Sequence, residues 1–340
     1  MLPAILGLSG PVLTEDERAF FAETGPAGFI LFDRNVADKA QLRALTDSLR
    51  DLTGRGDLPI LIDQEGGRVA RLRPPEWPAF PAPWRFAELY EIAPISAIEA
   101  VRVNAEALAV MLAEVGINVD CLPLLDVRQE GAHDVIGDRA LGAEPMRVAA
   151  LGRAILDGLQ TGGVLGVVKH MPGHGRARAD SHKELPVVDA SREELALDLA
   201  PFRALHDAPM AMTAHLLYPA WDSDLPATIS PTIVDEIVRG TIGFDGLLIS
   251  DDLGMDALPD GLEERASAAI AAGCDLVLHC SGAIGESRQV ASGLGEMTGA
   301  ARERLARAMA RIGGKHSVHE FAALAEKRDS LLAMIPDAAA

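Results

Sequence analysis

The stretch GFDGLLISDDLGM, residues 243–255, decides the fold. Its apolar run at 247–250 is hydrophobic on both faces, which suits a strand of a parallel sheet that is covered on two sides. The run ends in two carboxylates, Asp251 and Asp252. Period-two geometry sends adjacent strand residues to opposite faces, so only one of the pair is expected to point into a site at the strand end. Periodicity does not choose between them, and either could instead cap the next helix.

The same form recurs along the chain. Apolar runs at 5–8, 28–32, 59–62, 117–125, 164–168, 210–214, 247–250 and 274–278 alternate with segments of helical spacing at 38–52, 97–115, 144–160 and 193–206. Asp38 is placed to cap the first of these helices, and Ser191 with Glu194 forms a capping box ahead of the last. Eight strands in alternation with helices predict an α/β fold, a TIM-type (β/α)8 barrel; an open doubly wound sheet is the alternative. We expect one catalytic domain over residues 1–295. A C-terminal helical extension follows over 296–340, packed on the barrel exterior and ending in an alanine tail. His316 and His319 in that extension read as solvated bystanders.

The runs tend to end in a polar residue: Ser9, Asp33, Asp63, Asp126, His170, His215, Asp251 and His279. In a barrel these positions fall on the C-terminal rim, where catalytic groups gather. Any one of them could be polar merely because loops are polar.

Composition narrows the function. With 31 Lys+Arg against 50 Asp+Glu, the net charge of -19 disfavours nucleic acid and anionic membrane surfaces as partners. No apolar stretch approaches the roughly 18 residues of a membrane helix. The opening MLPAILGLSGPVL has no basic leader, so it reads as a first buried strand of a cytoplasmic protein. Cys121, Cys274 and Cys280 read as buried thiols in a reducing compartment. Aromatic residues make up only 4% of the chain, too few for the stacking platforms of a long polysaccharide groove, so a sugar site here would be small.

Three segments carry chemistry. In the stretch from Val167 to Pro186, Lys169 and His170 leave a strand and enter a loop broken by Pro172, Gly173 and Gly175. His170, His174 and His182 could be metal ligands, but Pro172-Gly173 removes the helix that would align the first two. Alternatively Asp180 orients His182 as a proton-transfer group. The second segment, residues 59–71, releases Asp63 at a strand end, then Gly66-Gly67 and Arg71. A carboxylate beside an arginine can clamp sugar hydroxyls, or can be a plain surface ion pair. IGDR, residues 136–139, adds the guanidinium of Arg139. The third segment is the Asp251-Asp252 strand end.

Together GFILFDRN (28–35), DQEGGRVAR (63–71), IGDR (136–139), KHMPGHG with ADSH (169–182) and GFDGLLISDDLGM (243–255) resemble glycoside hydrolase family 3, in order and over most of the chain. The likeness is to its single-domain bacterial β-N-acetylhexosaminidases, which recycle peptidoglycan fragments in the cytoplasm. The resemblance implies that Asp251 is the nucleophile and His182 the acid/base with Asp180 as its partner. It also implies that Asp63, Arg71, Arg139, Lys169 and His170 hold the sugar, with no cofactor and no metal. The implied partner is a small disaccharide or muropeptide, GlcNAc β-1,4-linked to anhydro-N-acetylmuramic acid, and the chain is expected to be a monomer. Met171 stands where the family usually has Phe, and Thr241 where a charged or amide residue is usual. The alternatives are a family 3 β-glucosidase or β-xylosidase, a GlcNAc phosphorylase, and a non-catalytic sugar-binding module.

Overall fold

A computed structural model describes residues 1–336, which leaves the alanine tail outside the described residues. Eight parallel strands close into a barrel in chain order: β1 (Leu2–Gly7), β2 (Pro26–Leu31), β3 (Ile60–Ile62), β4 (Val119–Asp120), β5 (Leu165–Met171), β6 (Met210–Thr213), β7 (Leu247–Asp252) and β8 (Leu276–His279). β1 pairs with both β2 and β8, which removes every sheet edge and excludes the open-sheet alternative. The helices are α1 (Glu15–Thr24), α2 (Lys39–Thr53), α3 (Trp84–Ile92), α4 (Pro94–Glu114), α5 (Pro145–Thr161), α6 (Arg192–Ala204), α7 (Leu262–Ala272), α8 (Ile284–Ser292), α9 (Gly299–Met309) and α10 (Phe321–Leu332). A π-helical segment, Ile233–Thr241, bridges β6 and β7. Among the described residues no helix is long and apolar enough to cross a membrane.

The predicted caps form. The Asp38 carboxylate accepts from Gln41 N at 2.8 Å, and Ser191 and Glu194 close their reciprocal box ahead of α6. β4 is far shorter than the predicted run at 117–125. Cys121 N still donates to Ile62 O at 2.8 Å, but Leu122 N turns back to Asp120 O at 2.8 Å and Pro123 has no N–H to give, so the regular ladder ends there. The chain still follows β5 through Lys169 N to Pro123 O at 3.1 Å and Leu125 N to Lys169 O at 2.7 Å.

Two expectations for the C-terminal segment need correction. α9 does not join the outer ring of helices. Its Ala301, Leu305 and Ala308 belong to the same buried cluster as Ile5, Leu61, Val119, Leu165 and Leu247, which α9 joins against β7, so the inner core extends past residue 295. α10 does lie outside, against α4. His319 is no bystander: its Nδ1 lies 2.8 Å from the carboxylate of Glu106, which also accepts from Ser317 at 2.6 Å and Arg102 at 3.2 Å. Glu106 is fully buried on α4, and a buried carboxylate is costly without such partners.

α4 and α5 approach closely through small residues. A Cβ on Gly158 would sit 2.2 Å from Arg102 O and 2.9 Å from the Ala105 side chain. On helix propensity alone, Gly158→Ala would stabilise the protein by about 1 kcal/mol. Because the helices must part to admit the methyl group, we expect a destabilisation of about 1–3 kcal/mol instead. Denaturant melts of the two proteins decide the sign.

Candidate active site

A cavity of about 310 Å³ opens at the C-terminal end of the barrel. Seven of the eight residues singled out in the sequence line it: Asp63, Arg71, Arg139, Lys169, His170, His182 and Asp251. The eighth, Asp180, stands behind His182. Ser9 and Asp33 are exposed elsewhere on the rim, while Asp126, His215 and His279 are buried around the site.

The expectation that only one of Asp251 and Asp252 could face the site fails, because both line the cavity. The reason is a β-bulge. Ile249 pairs with Leu276 and Asp252 with Leu278, so β7 advances three residues while β8 advances two. Ser250 sustains the kink, its hydroxyl donating to Asp251 O at 2.7 Å and accepting from Leu278 N at 2.9 Å. β5 is bulged in the same way between Val168 and Met171, and its consecutive residues Lys169 and His170 also both line the cavity.

Hydrogen bonding separates the two aspartates. The Asp252 carboxylate accepts from Gly254 N and Cys280 N, each at 3.0 Å, and the buried His279 lies 3.7 Å away. Burial alone would raise the Asp252 carboxyl, but these partners outweigh it and hold it low. Asp252 is therefore committed to the β7–β8 junction. Among the described residues the Asp251 carboxylate has one hydrogen-bond donor, Asp252 N at 2.8 Å on its Oδ1, and the residue lines the cavity.

One wall is a network of buried charge. The Lys169 ammonium lies 3.1 Å from Asp63 and 2.7 Å from Glu65. Arg139 grips Glu65 with two parallel hydrogen bonds of 2.8 Å, and Arg71 reaches Asp63 at 3.2 Å. Burial would push both carboxyls up. The charges of Lys169 and Arg71 instead hold Asp63 well below the usual carboxylate range, and those of Arg139 and Lys169 bring Glu65 to about 2. Lys169 is raised in turn: burial opposes its charge, but Glu65 and Asp63 more than compensate. Arg68 ties the loop bearing Arg139 to this wall through Asp138 at 2.7 Å and the carbonyls of Asp134 and Val135. Gly66, at φ +98°, lets the turn after Glu65 run against the Pro81 carbonyl, where a Cβ would stand only 2.3 Å away.

The three histidines of the loop are each engaged separately. Nδ1 of His170 meets Asp126 at 2.8 Å, Nε2 of His174 meets the Ser181 hydroxyl at 3.1 Å, and Nδ1 of His182 meets Asp180 at 2.8 Å. An ionised carboxylate can only accept, so Nδ1 of His182 carries a proton and Nε2 is the nitrogen left for exchange with a substrate. The Asp180 carboxyl is pushed up by burial but held lower by hydrogen bonds from the His182 backbone and ring. Among the described residues, no three His, Cys, Asp or Glu side chains are grouped to hold a metal ion.

Sequence reasoning missed Glu65 and the anchoring part of Asp126. Glu65 sits inside the quoted DQEGG motif, but nothing local distinguishes it from a solvated loop residue. Asp126 was visible only as one strand end among eight. Folding shows it accepting from His170 N at 3.2 Å and His174 N at 2.6 Å as well as from the His170 ring. Cys280, expected to be buried, is partly exposed at the cavity edge.

Comparison with known proteins accords with this geometry. Residues 7–313 match the model of the glycosyl hydrolase family 3 N-terminal domain. A β-hexosaminidase of Alkalilimnicola ehrlichii is 41% identical over 284 residues, covering 82% of this chain and 80% of that protein. One of Chromobacterium violaceum is 36% identical, covering 94% and 88%. Among solved structures, NagZ from Neisseria gonorrhoeae in complex with N-trifluoroacetyl-D-glucosamine superposes with a TM-score of 0.86 at 32% identity, covering 97% of this chain and 98% of that one. The chain therefore belongs to glycosyl hydrolase family 3, and it is a glycoside hydrolase.

Proposed function

We propose that this glycosidase of the β-hexosaminidase type is a retaining exo-β-N-acetylglucosaminidase. Its substrate would be GlcNAc β-1,4-linked to (anhydro-)N-acetylmuramic acid in peptidoglycan fragments, cleaved by a monomer in the cytoplasm during cell-wall recycling. The observation that carries the reading is that Asp251 and His182, 69 residues apart in sequence, border one small cavity that the Asp63–Lys169–Glu65–Arg139 network also lines. The curated relatives named β-hexosaminidase and the N-acyl glucosamine bound by the gonococcal NagZ support the sugar. The sparse, unpaired cysteines support the compartment.

In this mechanism a terminal pyranose fills the cavity and its hydroxyls meet Asp63, Arg71, Arg139, Lys169 and His170. The Asp251 carboxylate attacks the anomeric carbon as the glycosidic C–O bond breaks. The departing oxygen takes the proton on Nε2 of His182, leaving a glycosyl ester on Asp251. The now basic Nε2 then removes a proton from water, which attacks the same carbon and frees sugar and carboxylate. Asp180 keeps the ring in one tautomer and one orientation throughout.

Two outcomes follow. Replacing His182 with Ala should cost about 10²–10⁴-fold in kcat/KM on a natural disaccharide. It should cost far less on a dinitrophenyl glycoside, whose leaving group needs no proton; steady-state kinetics on both substrates would expose equal losses, which would refute the role. A fluorinated N-acetylglucosaminyl donor should leave a covalent adduct on Asp251, located by peptide mass spectrometry. An adduct on another residue, or an Asp251→Asn protein that still releases GlcNAc from muropeptides, would refute the nucleophile.

A further inference from the structure

The segment 178–185 carries both Asp180 and His182, yet among the described residues it makes one hydrogen bond to the rest of the protein. That bond runs from the Ser181 hydroxyl to Nε2 of His174, 3.1 Å. The segment's other hydrogen bonds are internal: Lys183 N and Glu184 N to Asp180 O, and the His182 backbone and ring to the Asp180 carboxylate. Its flanks are fixed by backbone pairing, His133 N to Ala177 O at 2.8 Å on one side and Leu217 N to Pro186 O at 3.0 Å on the other. Between those anchors the flap has a single fastening.

The fastening has the character of a pivot. Ser181 is 3% exposed, while the side chain of the next residue, His182, is 62% exposed. His174 is itself immobilised: its backbone N–H donates to Asp126 at 2.6 Å, and its ring meets His170 edge-on at 5.6 Å between centroids. Asp126 also holds the ring of His170. One connected path thus runs from the sugar-facing His170 through Asp126, His174 and Ser181 to the flap. Burial, and next the charge of His170, push the His174 imidazole down to about 4, so at neutral pH it is uncharged. A neutral imidazole nitrogen and a hydroxyl can each donate or accept, so their bond forms in either tautomer.

We propose that Ser181 and His174 are positioning residues for the acid/base: their hydrogen bond pins the flap at the cavity and sets where Nε2 of His182 meets the leaving oxygen. This rests on the assignment of His182 above. Losing one neutral hydrogen bond shifts a docked–undocked balance by roughly 3- to 10-fold.

The test compares Ser181→Ala, Ser181→Thr and His182→Ala on an alkyl and a dinitrophenyl β-N-acetylglucosaminide. Ser181→Ala should lose roughly 3- to 10-fold in kcat/KM on the alkyl glycoside and less than about 2-fold on the dinitrophenyl glycoside. Ser181→Thr, which keeps the hydroxyl, should restore the alkyl activity. Equal losses of Ser181→Ala on both substrates, no loss on either, or a Thr variant as impaired as Ala would overturn the pin. If His182→Ala is selective and Ser181→Ala is not, the pin alone fails. If His182→Ala is itself unselective, the acid/base assignment falls and takes the pin with it.

Discussion

An ammonium group almost wholly removed from water sets the terms for this active site. Asp63 and Glu65 both face Lys169 and favour its charge against burial; Lys169 with Arg71 holds Asp63 ionised, and Arg139 with Lys169 holds Glu65 ionised. Such a network adds little net stability, since desolvation offsets most of the attraction, but removing one member strands the others at a cost of about 3–5 kcal/mol. What the network does supply is position. It ties the end of β3, the end of β5 and the loop bearing Arg139 into one wall, with charged donors and acceptors already aimed before a ligand arrives.

The proposed mechanism divides two tasks between two kinds of structure. Asp251 is on a strand end, held by a bulge and by a backbone donor, the fixed geometry that the proposed nucleophile requires. His182 is on a turn, oriented by Asp180 but exposed, which gives the proposed acid/base room to reach both a leaving oxygen and water. In the proposed mechanism a bulge and a lightly fastened flap are thus complementary ways of bringing distant residues to one bond.

Much of the fold was legible because it rests on local physics. Each apolar run between helix caps had to be buried, and the capping groups of Asp38 and Ser191 act within a single turn of chain. The strand-end residues Asp63, His170 and Asp251 were legible for the same reason: strand direction places run ends on the rim. Less visible were α9, whose small and apolar residues would suit an outer helix equally well, and Glu106, whose partner Ser317 lies 211 residues away. Local pattern carries no information about which surface a helix meets or which charge finds which.

The amino-acid sequence by itself determined that eight strands alternate with helices, where several helices begin, and which chemistry stands at the strand ends, because these follow from hydrophobic period and from groups a few residues apart. Only the tertiary structure decided that Asp251 and Asp252 both enter the cavity and take different hydrogen-bond partners. It alone decided that Glu65 belongs to the charged wall and that Ser181 rests on His174. Those outcomes depend on the register between neighbouring strands and on the meeting of loops distant in sequence, and register is set by the whole closed sheet at once, not by any one strand within it.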